Sequence, residues 1–342
     1  MVCANITEIA KKETIRNGGQ IVHGSGCENR IGVATHSELA AKADRALAIL
    51  QSRNWKSGRL FDDYNDVEAL HAILKELNEA SDSNAASIVS LAYKNSALER
   101  AIHKSTKRRQ VSRTYRRFVR ECLRTMANPS NPEFAEELMD VLNNPKLSVD
   151  LRVYAYYGLA VHEHDDPVFW QKALDEIANE FLPHYCYKRN IDEMRRIVRW
   201  VGENGQVLGN PVNQQNLIKI YEANVIGASN ETQKNSMGQL RREILDLLSQ
   251  VNFADQANEP CLSFFNSRIN FHSPNDDTTI EVLQAIRRSG NPTFKDRELM
   301  IRLDRIRQNI YKWQPIPPVL AEKLIELDKT IQYLNDLNGG VD

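Results

Sequence analysis

The chain has 342 residues, 42% hydrophobic and 26% charged, with 44 Lys plus Arg against 45 Asp plus Glu. This usage excludes wholesale disorder, and a chain of this length buries a core without disulfide or metal staples. A formal net charge of −1 excludes molecule-wide attraction to nucleic acid or acidic membranes, so any electrostatic preference has to be local.

No run approaches the ~18 to 20 apolar residues of a membrane-spanning helix, and Met1 to Gly32 lacks a basic-then-apolar signal peptide. Cys3, Cys27, Cys122, Cys186 and Cys261 are scattered and form no CxxC, which points away from a disulfide framework or a zinc knuckle. The expected setting is cytoplasmic, with non-classical export left open.

Residues 1–36 hold Gly18-Gly19, Gly24-Ser25-Gly26 and Gly32 among polar residues and are expected to form a flexible leader. The Gly24-Ser25-Gly26 step lacks the strand, helix and spacing of a phosphate loop, and no cofactor is expected. Residues 37–127 turn helical. Ser37 is the expected N-cap, with Leu39, Ala43, Ala46, Leu47 and Leu50 on one face. Val67, Leu70, Leu74 and Leu77 repeat that spacing, as do Ile88, Leu91, Leu98 and Ile102, so four or five helices are predicted before Asn128.

In residues 128–252, Asn or Asp followed by Pro marks helix starts, because the first caps and the second fits the first turn. Asn131-Pro132, Asp166-Pro167, Asn210-Pro211 and Asn291-Pro292 lie 35, 44 and 81 residues apart. The last gap is about twice 40, and each unit of ~40 residues holds a helix pair. Pairs are predicted at 132–143 with 148–161, 167–181 with 191–203, and 211–222 with 231–251. Trp170, Leu174, Ile177 and Phe181 form one buried stripe, and Gly158 permits a close helix approach. The spacing over roughly residues 130–250 resembles HEAT-type solenoids in architecture, although no repeat consensus recurs. The alternative is a non-repeating multi-helix bundle.

In residues 253–342, the aromatic and branched residues of 261–271 favour an extended segment or hairpin. Leu299, Leu303, Ile306, Ile310 and Trp313, then Leu320, Leu324, Leu327, Ile331 and Leu334, flank Pro315-Ile316-Pro317-Pro318 and predict an antiparallel helical hairpin. The expected fold is therefore all-α, a helical-pair array or a bundle, closed by that hairpin.

Arg100 to Arg124 contains ten Lys or Arg, and no Asp or Glu before Glu121. On a helix Arg113, Arg116, Arg117, Arg120 and Arg124 share an arc of about 100°, opposite Tyr115, Phe118, Val119, Cys122 and Met126, and Lys104, Lys107, Arg108 and Arg109 extend the basic run. Such like charges repel by a few tenths of a kcal/mol per close pair, so an anion is expected nearby. The internal candidates are Glu133, Glu136, Glu137 and Asp140. The external ones are an acidic protein, nucleic acid or phospholipid headgroups.

His162-Glu163-His164-Asp165-Asp166 is dense in metal-capable groups, but histidines two apart diverge by about 200° on a helix, and no metal site is expected. Cys186 beside His184 is the one stray thiol candidate, without a catalytic motif around it. The expected function is a non-enzymatic scaffold or adaptor that binds a protein partner through helix faces. Nucleic-acid or anionic-surface binding through the Arg-rich helix 100–124, with Arg109, Arg113, Arg116, Arg117, Arg120 and Arg124 as the binding residues, and a helical enzyme without a recognisable motif, are the alternatives.

Overall fold

A computed structural model describes residues 35–56, 63–106, 110–182, 188–223, 231–269, 278–294, 297–312 and 315–339, among which all regular structure is helical. None of these helices is long and apolar enough to cross a membrane. The chain divides into two units, Met1–Glu38 and Leu39–Asp342. In the first, Thr35 N donates to Glu38 Oε2 at 2.7 Å and Glu38 N to Thr35 Oγ1 at 3.4 Å, a reciprocal capping box. Thr35, not Ser37, therefore opens helix α1 (His36–Gln51).

The helices that follow alternate between two rows. One row contains α2 (Tyr64–Glu79), α5 (Gln110–Met126), α7 (Val149–Val161), α9 (Lys188–Glu203), α12 (Glu231–Leu248), α14 (Thr278–Arg288) and α16 (Pro318–Gly339). Each packs on the next of that row. Between them come α3 (Asn84–Lys94) with α4 (Ala97–Ser105), α6 (Ala135–Leu142), α8 (Pro167–Glu176), α11 (Pro211–Glu222), α13 (Glu259–Arg268) and α15 (Arg297–Tyr311), while α10 (Gly205–Leu208) is a single turn. The α15–α16 hairpin is thus the last pair of the array, since α16 also packs on α14.

The period is written in side-chain bonds. Asn95 reaches the Leu50 carbonyl 45 residues back, Tyr93 Oη the Asp140 carboxylate 47 residues on, Asn216 the Gln171 carbonyl 45 back, and Asn291 the Ser249 carbonyl 42 back. The turns repeat as well. Asp166, Asn210 and Asp255 each accept the backbone N–H two residues on, at 2.9 Å. Asp255 fills the gap left by the Asn/Asp-Pro spacing. Its helix start has Pro260 five residues later, beyond one 3₁₀ turn (Gln256–Asn258). Asn291-Pro292 opens a turn instead of a helix, and Asn131-Pro132 leads through a 3₁₀ turn into α6.

The expected extended segment at 261–271 is wrong over its described part, since 259–268 is helix α13. Cys261, Phe264 and Phe265 are buried at i, i+3 and i+4, so burial against α11 and α14 overrides their strand preference. Phe271 and Trp313 lie outside the described residues. The 88–102 stretch forms two helices rather than one, because Ser96 takes a left-handed φ of 67°. Gly158 behaves as expected: a Cβ there would stand 2.7 Å from Leu138 Cδ1. Gly202 repeats the close approach one unit later, against Leu247.

Candidate functional site

Helix α5 owes its position to its apolar back. Tyr115, Phe118, Val119, Cys122 and Met126 are fully buried, each large side chain contributing about 1.5–3 kcal/mol of burial. At its N-terminal end the packing closes on Asp63, which precedes α2. This buried carboxylate accepts from Arg100, Lys104 and, at 2.7 Å, Tyr115 Oη. Burial pushes its pKa up, but the bonds from Lys104, Arg100 and Tyr115 outweigh that, and the carboxyl ends below its usual range. Two cations of the basic run, Arg100 and Lys104, are therefore consumed inside the fold.

The arginine front meets three different fates. Arg113 and Arg117 are exposed and make no ion pair or hydrogen bond among the described residues. Arg116 approaches Asp150 of α7 at 3.6 Å. Arg124 donates at 3.1 Å to Glu121, which also holds Asn78 of α2. Arg120 lies over the Tyr154 ring, 5.5 Å from its centroid, and its Nε is buried without a hydrogen-bond partner. Arg109, with Lys107 and Arg108, falls outside the described residues.

The acidic segment after Asn131 does not cover this front. Asp140 accepts from Tyr93 Oη at 2.5 Å, which with burial pushes that phenol up to about 12. Glu133 and Glu137 line a groove with Ser87, Ser90 and Lys94 of α3. Helix α6 belongs to the second row, and its Asp140 and Glu137 are turned to Tyr93 and Lys94 of α3.

The structure adds residues that the sequence reading passed over. On α9, Ile191, Met194, Ile197 and Val201 form the buried stripe, and Glu193 stands at its flank, half-buried, with Oε2 enclosed and unpartnered. Burial raises its carboxyl to about 7, Asp192 pushes the same way, and Arg124 and Arg120 oppose. Tyr157 of α7 is raised by burial and by Glu193, against Arg196 and Arg124. Arg196 has its carboxylate, Glu203, only at 3.9 Å. Charges from α5 and α9 thus act on Glu193 and on Tyr157 of α7 together, with Arg124 common to both. The one hint in the sequence was a glutamate one residue before Met194 at the edge of an apolar stripe.

The His162–Asp166 cluster serves the turn. His162 Nε2 meets the Met126 carbonyl at 2.6 Å, and the His164 carbonyl accepts both Trp170 Nε1 at 2.7 Å and Trp200 Nε1 at 2.9 Å. Among the described residues no group of three His, Cys, Asp or Glu is placed to hold a metal ion. Cys122 and Cys261 are buried thiols, raised by burial, the second to about 12 with Sγ 3.0 Å from Gln214 Oε1. Cys186 and His184 lie outside the described residues. No protein-family model, curated protein or solved structure matches this chain.

Proposed function

We propose that this chain is a non-enzymatic helical-pair scaffold that holds an acidic segment of a partner protein against the face formed by α5, α7 and α9. The observation that carries the reading is the exposure of Arg113 and Arg117 without an ion pair or hydrogen bond among the described residues. Elsewhere in the same row Arg195 and Arg199 meet Glu243 at 2.7 and 2.6 Å, and Arg288 meets Asp246 at 2.6 Å. An arginine fork suits a carboxylate, and leaving two unpaired on a crowded basic helix favours an anionic visitor.

The size of the patch favours protein over nucleic acid. Arg113 to Arg124 spans 11 residues, or about 16 Å at the helical rise, whereas salt-sensitive duplex binding rests on about 6–10 phosphate contacts. The decisive measurement is fluorescence anisotropy of a labelled glutamate-rich dodecapeptide and of a single-stranded RNA of equal charge, each titrated with the full chain. The peptide is expected to bind more tightly, and Arg113→Glu with Arg117→Glu to weaken it at least ten-fold. Tighter RNA binding that collapses in the same variant would replace this reading, and an unchanged peptide affinity would remove the face from it.

A further inference from the structure

We infer that Arg113 and Arg117 act as one clasp for a single carboxylate of the partner's acidic segment, so that the site reads the position of one acid rather than the segment's total charge. This deepens the reading above and rests on it.

Twice among the described residues a basic pair four residues apart closes on one shared carboxylate. On α4, Arg100 Nε donates to one oxygen of Asp63 and Lys104 Nζ to the other. On α9, Arg195 Nη2 and Arg199 Nη2 donate to the same Glu243 oxygen at 2.7 and 2.6 Å, and Arg195 Nε reaches the second oxygen at 3.2 Å. The spacing explains both. Residues four apart on a helix differ by about 40° around the axis and about 6 Å along it, so two long side chains start beside each other and converge beyond the helix surface. A carboxylate has two oxygens and about four lone-pair sites, enough for both donors. In each case the donors outweigh burial and hold the carboxyl below its usual range, the mark of an acid kept ionised.

Arg113 and Arg117 repeat this spacing on the uncovered stripe of α5. Thr114 and Glu121 on one flank, and Val119 and Leu123 on the other, are buried, so an acid reaches the helix only from its arginine front. The remaining arginines of that front are occupied: Arg116 by Asp150, Arg120 by the Tyr154 ring and Arg124 by Glu121. Arg113 and Arg117 are both exposed and have no ion pair or hydrogen bond among the described residues. They form the clasp of α4 and α9 without its acid. Arg113 is also the fourth residue of α5, in the first turn, where the helix end already carries positive partial charge. An anion held between the two heads answers that charge as well as their mutual repulsion.

The test is a substitution cycle read by anisotropy with the labelled glutamate-rich dodecapeptide. Arg113→Gln and Arg117→Gln are each expected to weaken binding about five-fold, and the double variant no more than about two-fold further, because either donor loses its aim when the other is gone. A second probe is a dodecapeptide with one central glutamate and glutamine in place of the others. It is expected to bind the natural chain within about ten-fold of the glutamate-rich peptide, and this comparison needs no variant at all. Single losses that multiply to the loss of the double variant, or a one-glutamate peptide that falls more than about ten-fold behind, overturns the clasp and leaves the scaffold reading standing. A natural chain that binds neither peptide overturns both.

Discussion

From α9 to α16 the first row is bolted by arginines: Arg195 and Arg199 share Glu243, Arg288 takes Asp246, and Arg287 takes Glu326 on the following helix. On α5 the same residue type is denser, yet Arg113 and Arg117 meet no carboxylate among the described residues and Arg116 only a distant one. The difference does not lie in the arginines. It lies in whether the helix one unit away offers an acid at the matching height. Where it does, the pair holds neighbouring units in register. Where it does not, the guanidinium stays exposed, as at Arg113 and Arg117.

Four changes can break or sharpen that contrast, in falling order of effect. Asp63→Ala removes the buried carboxylate that Arg100, Lys104 and Tyr115 share, so denaturant titration should lose about 3–5 kcal/mol. A loss under 1 kcal/mol would mean that Arg100, Lys104 and Tyr115 find other partners. Because the folded pKa of Asp63 is depressed, its contribution is present above the usual carboxylate range and fades as pH falls through the lowered value.

Glu193→Gln should move stability the other way. A carboxyl raised from 4.5 to about 7 is held most easily when protonated, so the natural chain loses stability as pH rises from about 4.5 through 7. The glutamine variant should gain up to roughly 3 kcal/mol above pH 8 and nothing near pH 4, and parallel pH-stability curves for the two proteins would contradict this.

Glu243→Gln tests the bolted stretch. Its carboxyl is held low because bonds from Arg195 and Arg199 outweigh the effect of burial, and the pair is partly screened, so about 1 kcal/mol should be lost at neutral pH and less below pH 4. Arg113→Glu with Arg117→Glu should change stability least, within about 0.5 kcal/mol by thermal melt, since both side chains are exposed and neither pairs with a described residue. A large loss there would place those arginines among the bolts after all.

The fold was legible where one physical signal acted alone. The Trp170, Leu174, Ile177 and Phe181 stripe is buried as its spacing implied, and Asp166 and Asn210 cap the helices that their prolines announced. The unit start at Asp255 was hidden because no proline follows it directly, and α13 was misread because Phe264 and Phe265 prefer strands until neighbouring helices bury them. The five arginines on one face could be read from periodicity. That Arg100 and Lys104 turn inward to Asp63 could not, since the partner lies 37 and 41 residues away. Glu193 was invisible for a similar reason: besides its neighbour Asp192, its charged setting comes from Arg120 and Arg124 on α5, about 70 residues away in sequence.

One small feature of the array has an optical consequence. Two indoles, from Trp170 on α8 and Trp200 on α9, hang on the single carbonyl oxygen of His164, in the turn after α7. The chain has four tryptophans, and two of them meet at one backbone oxygen at the joint between two successive units. Any event that loosens that joint frees both indole N–H groups to water at once, and the protein carries a native fluorescent gauge at the far side of the patch from Arg113.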